Sequence, residues 1–444
     1  MRWAGAFLGL TLAAGPAAAQ VASSAVPPRP VAEVRLPGPD ALYDPDQGAP
    51  EALASPETPR GTLFPGLEAP WRADLQRFRL RLFQDHGITF FASYQQLAQY
   101  ATDTRPGVRQ DWAVGGWFGY GATWTPIDRG GDYEGTFVFR GGWRGALGGN
   151  NTWPAPFGLA NLGSAWSAYE FTSWNNRFAV EDLFYEQHIG RNFNFRIGNQ
   201  APQATLNFFR FKDARTGFTA SPLAFHDTIP YPAFGAGLSF RWRSFADGFY
   251  VNGALNDMNG SPGQRGLDWS TLNANQLFSG VEVGHQWRRP NGEFDHLSLL
   301  VFYAGTRRTF NVDTSPNSPG GGFKINGELQ RGRVVGFASY TYNEARGGGI
   351  STTFTNHTAV AGAAYLRPFG INGEAAVAGM WSRPFSNLIP GLARRDQYGV
   401  EAYWNIAVTP NSTLTPGVQL VVNPAFNPSV DFIAIPQIKF RVFL

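Results

Sequence analysis

Segments of about ten residues with apolar and polar side chains in alternation follow one another from Ile88 to the last residue. No other feature limits the possible folds of this chain as strongly. The stretch EQHIGRNFNFRIGNQ, Glu186 to Gln200, shows the pattern. Phe193, Phe195 and Ile197 alternate with Asn192, Asn194 and Arg196, so an extended chain presents an apolar face and an amide and guanidinium face. A soluble sandwich would turn the apolar face to a protein core and the polar face to bulk water. A membrane barrel turns the apolar face to lipid and the polar face to a water-filled lumen, and one segment does not choose between them.

Composition chooses. Charged residues make up 16% of the chain, against roughly 25% in ordinary soluble proteins. Aromatics reach 15%, and the mean hydropathy of -0.23 is mildly polar. After the first twenty residues no apolar run approaches the roughly 18 residues of a spanning helix. Few charges, many aromatics and no long apolar run occur together when strands lie between lipid and water, because the polar half dilutes every hydropathy window. The net charge of +3 is small and dispersed and implies no nucleic-acid partner.

The opening MRWAGAFLGLTLAAGPAAAQ reads as a secretory signal over residues 1–19, with basic Arg2, a short apolar stretch, Pro16 and an Ala17-Ala18-Ala19 cleavage pattern. The chain has no cysteine, so an exported protein of this kind must hold its fold by size rather than by disulfides. Residues 20–70 are rich in proline and poor in aromatics and read as an extended periplasmic arm. Over 71–87, Trp71, Leu75, Phe78 and Leu82 recur at helical spacing and Gly87 ends the run, which predicts a short amphipathic helix against or inside a barrel mouth.

Sixteen strands are expected over 88–444, near 88–99, 112–124, 134–143, 178–188, 191–199, 233–245, 247–256, 277–289, 295–305, 322–330, 332–343, 354–366, 371–383, 394–407, 412–422 and 433–444. The fold class is thus all-β, an antiparallel transmembrane barrel. Tight turns at Ile189-Gly190 and Gln330-Arg331 alternate with long insertions at 144–177 and 200–232, as periplasmic turns alternate with extracellular loops. The closing strand places Ile438, Phe440, Val442 and Leu444 on one face and Gln437, Lys439 and Arg441 on the other. Through that strand the outer-membrane assembly machinery is an expected partner, as are the lipids around the barrel.

Arg196, Arg241 and Arg243 have the apolar strand neighbours Phe195, Ile197, Phe240 and Trp242, so all three should point into the lumen. Glu186, Glu282, Arg288 and Glu401 fall on polar faces by the same phasing. Such charges either bind a solute or only hydrate the wall and pair across it. The insertion 144–177 carries Trp153, Trp166, Tyr169, Trp174 and Asn175, an aromatic density that favours an inward fold and places Trp166, Trp174 and Asn175 among the pore-lining residues. Trp143 and Trp242 suit an interfacial girdle. Enzyme signatures are lacking: there is no Gly-x-Ser-x-Gly elbow, no dinucleotide-loop order of glycines and no close histidine pair, so neither catalysis, a cofactor nor a metal is expected.

Three segments, Asp182 to Gln200, Tyr231 to Pro262 and Gln397 to Pro428, together resemble the carbohydrate-selective porin family, the OprB-like proteins of the Gram-negative outer membrane. With the Gly87-Ile88 entry to the first strand, the resemblance spans residues 72–444. It implies a passive sixteen-stranded channel that admits monosaccharides such as glucose through a constriction lined by arginines, acidic groups and aromatics. A general or differently selective porin and an outer-membrane barrel hydrolase are the alternatives.

Overall fold

In the computed structural model of the protein, the described residues are 61–67, 71–147, 152–168, 178–224, 228–244, 247–260, 267, 269–289, 293–307, 318–346, 354–386 and 394–443. The expected signal and all of the proline-rich arm up to residue 60 lie outside them. A helix, α1 (Arg72–His86), precedes the strands β1 (Ile88–Tyr100), β2 (Trp112–Ile127), β3 (Gly135–Ala146), β4 (Phe178–Ile189) and β5 (Phe193–Gln200). Next come β6 (Gly235–Arg243), β7 (Phe249–Asp257), β8 (Leu277–Arg288), β9 (Phe294–Ala304), β10 (Gly320–Arg331) and β11 (Val334–Asn343). The last are β12 (Thr355–Leu366), β13 (Glu374–Pro384), β14 (Gln397–Trp404, resuming after Asn405 as Ile406–Thr409), β15 (Ser412–Val422) and β16 (Phe432–Phe443).

Each strand pairs antiparallel with its chain neighbours, and β1 pairs with both β2 and β16, in the register Ser93↔Phe443 to Gln99↔Gln437, which closes the sheet into a barrel. Closure leaves no unpaired edge, which is what a strand needs to lie in hydrocarbon. The sixteen strands match those expected one for one, with the fourteenth interrupted at Asn405.

The alternation does the work expected of it. In β5, Asn194 and Arg196 are buried on the inner face, while Ile197 is exposed on the outer face, where Phe193 also stacks on Phe240 of β6 at 6.2 Å. In β9, Leu297, Leu299, Val301 and Tyr303 form an exposed outer row, and His296, Ser298, Leu300 and Phe302 an inner one. In β16, Ile438 and Phe440 point out and Gln437, Lys439 and Arg441 point in. Replacing outward Ile325, near the middle of β10, with Arg should cost about 2 to 4 kcal/mol and block assembly. Heat-modifiable gel mobility measures this, and wild-type folding of I325R would contradict the assignment of faces.

The helix forms where expected, but its buried side chains differ from those the spacing suggested. Its buried side chains are Arg72 and Arg79, whereas Trp71 and Phe78 are about half exposed. Phe78 contacts Phe90, 6.2 Å between ring centroids, and Phe90 is on the outward parity of β1. α1 therefore packs at the rim of the barrel rather than filling its mouth. Gly87 caps it in the left-handed conformation (φ 72°), and Thr125 of β2 donates its N–H to the Gly87 carbonyl at 2.8 Å. Just upstream, the N–H groups of Leu63 and Phe64 donate to Ala407 and Val408 at 3.0 and 2.9 Å, so the end of the arm is fastened to the interrupted β14.

The lumen is largely filled from the long-loop end. Residues 152–168 and 201–224 both turn inward, and Phe157, Leu162, Phe209, Phe211 and Phe218 pack with Val335, Phe337, Val360, Met380 and Ile433 of the inner wall in one apolar cluster. A second apolar cluster joins Leu206 of the inserted segment to Ala254, Phe278, Leu300 and Phe302 on the inner faces of β7 to β9.

Candidate pore constriction

The segment 201–224 is held against the wall by carboxylates that meet its backbone. Glu282 of β8 accepts from the N–H groups of Asn207 and Phe208, the latter at 3.2 Å, and from the Tyr250 hydroxyl at 2.6 Å. Glu328 of β10 accepts the Arg210 N–H at 3.0 Å. Glu401 of β14 accepts the N–H groups of Thr219 and Ala220 at 2.7 and 2.8 Å and the Gln437 amide at 2.8 Å. Amines hold the carbonyls in turn, since Lys439 of β16 donates to Ala214 at 2.9 Å and to Gly217, and Lys324 of β10 donates to the Asn207 side chain. A carboxylate that accepts two backbone N–H groups replaces the water those groups would lose inside the barrel.

Glu282 and Glu401 are on the lumen face as phased, but they are fully buried under the segment and do not line a passage. Alternation assigns a residue to a face and says nothing of what covers that face. Trp166 is corrected in the same way. Its segment folds inward as expected, but the indole N–H donates to Ser382 at 2.8 Å and the ring packs on Gly399, where a methyl group would approach a ring carbon to 2.6 Å. A second inward glycine, Gly280 of β8, makes room for Leu206 of the other segment in the same way. Trp174 and Asn175 lie outside the described residues, and Arg288 closes β8 with its side chain outside them too.

The remaining candidates share the opposite wall. Glu186 of β4 and Arg196 of β5 are direct register partners and form an ion pair, which His188 joins at 3.2 Å from Glu186. Arg241 of β6 faces Asn194 across the register and donates to the Ala204 carbonyl. Arg243 stands two residues further toward the short-turn end, partly exposed.

Above this group is a cluster that the sequence reading missed. Arg140 and Arg144 of β3 converge on Glu181 of β4 at 2.7 and 2.6 Å, and Arg140 also reaches Asp182 at 2.8 Å. The Arg144 guanidinium lies 3.8 Å from the centroid of the Trp117 ring of β2, and Arg215 of the inserted segment lies 5.5 Å from it. Wall and insertion therefore meet at Trp117. A glycine-rich β2 and β3 (Gly115, Gly119, Gly121, Gly141, Gly142) obscured the alternation that would have marked these arginines as inward.

Arg215 is steadied by Asp213 at 2.6 Å. Burial alone would push the Asp213 carboxyl up, but Arg215 outweighs it and holds the group at about 2. Because that is below its unfolded value, the contact contributes above about pH 4 and is lost as pH falls through about 2. The contribution of Asp213 to channel conductance, read as the difference between wild type and D213N, should therefore stay level from pH 7 to 4 and vanish only on further acidification. A difference that fades near pH 5 to 6 would contradict this.

A closed sixteen-stranded antiparallel barrel with two inserted loops and an aromatic, charged inner wall defines a porin of the Gram-negative outer membrane. Its resemblance to the carbohydrate-selective porins holds: residues 359–435 match the family model described as carbohydrate-selective porin, OprB family. The high-pH structure of Pseudomonas putida OprB is similar to it with a TM-score of 0.65 over 84% of this chain and 97% of that one, at 14% identity, a likeness of fold. Salmonella typhi OmpF in complex with daunomycin aligns with a TM-score of 0.49 at 13% identity over 80% of this chain and 97% of that one. No curated protein matches the chain.

Proposed function

We propose that the protein is a passive diffusion channel selective for monosaccharides such as glucose, with no chemical step. The observations that support this reading are the match to the carbohydrate-selective porin model and the charged inner wall of β4 to β6, where Glu186, His188 and Arg243 keep part of their surface open beside the buried Arg196, whose Nη1 has no protein hydrogen-bond partner. Sugar hydroxyls need fixed donors and acceptors, and the flat C–H face of a pyranose suits an aromatic ring. Sites of this kind must stay weak enough for release. Sugars in transit and the surrounding lipids are the partners this function requires.

The test is saturable block of single-channel current by glucose. A guanidinium to hydroxyl bond is worth about 1.5 to 3 kcal/mol, so R196A should raise the half-blocking concentration about tenfold or more. Unchanged sugar affinity with altered ion preference would reduce Arg196 to a wall charge.

A further inference from the structure

We infer that α1 is a membrane-surface helix, seated on the periplasmic leaflet beside the barrel, where it binds the phosphate headgroups of anionic phospholipids. The apolar stripe Trp71, Leu75, Phe78 and Leu82 takes no part in the channel, and the barrel leaves Trp71 and Phe78 about half exposed. What covers them follows from where the helix stands.

Phe78 lies against Phe90 in the outward row of β1, and the Arg79 guanidinium lies 5.8 Å from the centroid of the same ring. That row faces lipid, so α1 adjoins the barrel on its lipid side and its open apolar groups continue the lipid-facing surface. Phe90 stands two residues into β1, about 7 Å from the short-turn end of the strand. Trp124, the register partner of Ile88, is half exposed at that same end. A tryptophan there marks the headgroup level, and a surface helix sinks its apolar face about 5 to 10 Å into that boundary. Both ends hold the helix in place. Arg129 of the β2–β3 turn donates to the Phe83 carbonyl at 2.9 Å, and upstream the segment bonded to β14 carries Leu63, Phe64 and Leu67, all exposed.

Charge selects the headgroup. α1 carries Arg72, Arg77, Arg79 and Arg81 against Asp74 and Asp85. Arg77 pairs with Asp74, while Arg81, one turn from Phe78, is exposed and makes no ion pair among the described residues. The acids of the adjoining β2–β3 turn are engaged elsewhere: Asp128 and Glu134 accept the N–H groups of Tyr133 and Gly130, and Asp132 pairs with Arg191. An exposed guanidinium beside half-open aromatics suits a phosphate, which it meets with paired N–H donors. A zwitterionic headgroup adds an ammonium charge that opposes the contact, and an anionic one does not.

The chain has no cysteine, so a single introduced one can carry an NBD fluorophore. W71C and, as a control, A73C, exposed and about 200° further round the helix, are labelled in the full-length protein and reconstituted in phosphatidylcholine vesicles. Lipids with a nitroxide on the acyl chain then serve as quenchers. At W71C, nitroxide phosphatidylglycerol should quench several-fold more than nitroxide phosphatidylcholine at the same mole fraction. The ratio should fall toward one when R81Q is added, and near 1 M salt, where the screening length is about 3 Å. At A73C, water-soluble iodide should quench more than either lipid. L67C supplies the label site if W71C fails to assemble. Equal quenching of W71C by the two lipids overturns the headgroup assignment. Iodide quenching W71C as freely as A73C would place the helix in periplasmic water, and protection from both iodide and lipid would mean that another part of the chain or a second copy covers the stripe. Either result overturns the inference.

Discussion

Glu282 and Glu401 replaced together by alanine should yield a folded barrel whose single-channel conductance is several-fold higher than wild type. The two carboxylates take the backbone N–H groups of Asn207 and Phe208 at one end of the inserted segment, and of Thr219 and Ala220 at the other. Each of the four N–H groups left buried without an acceptor costs about 1 to 3 kcal/mol. The segment can escape that cost only by moving to water. The barrel itself is closed by strand pairing that neither substitution touches, so detergent-resistant folding should survive. Conductance equal to wild type in the folded double variant would show that the segment is held by its apolar contacts alone.

The second large effect concerns Glu181. It is fully buried between Arg140 and Arg144, with Asp182 the other carboxylate in reach of Arg140. Removing one partner of a buried ion pair typically costs about 3 to 5 kcal/mol, because the remaining charge stays desolvated. E181A should therefore lower the urea midpoint of the reconstituted barrel by that equivalent, and the Arg144–Trp117 contact should loosen with it. E181Q, which keeps the shape and one acceptor, should lose less. An E181A barrel as stable as wild type would mean that water reaches these guanidinium groups freely.

How much of this was legible in the sequence follows from what each residue touches. Segments such as β5 and the second half of β16 show a clean alternation because one side meets lipid and the other carries polar groups. β12 and β13 do not, since Val360, Ala364, Ala376, Ala378 and Met380 face an apolar cluster formed by the inserted segments while their neighbours face outward. Arg196 and Glu186 were legible as inward and lie on the two sides of the tight Ile189-Gly190 turn, though their direct contact needed the register. Glu282 and Glu401 were legible as inward and misread as pore lining, because their partners are backbone amides of a loop that no pattern marks. Arg140, Arg144 and Trp117 were missed among glycines, and the contact of Arg215 with Trp117 joins residues almost a hundred positions apart. In α1, helical spacing of Trp71 and Phe78 pointed to the wrong buried face, since the rim of a membrane barrel can leave aromatics exposed and bury arginine stems.

Vesicle swelling measures the central claim most directly. Purified protein in liposomes, challenged with glucose, a disaccharide, an amino acid and a polyol at equal osmolarity, should admit the monosaccharide several-fold faster than non-sugars of similar size, and the disaccharide more slowly still. Rates ordered by molecular size alone, with no advantage for the sugar, would contradict a carbohydrate-selective channel and leave a general diffusion porin.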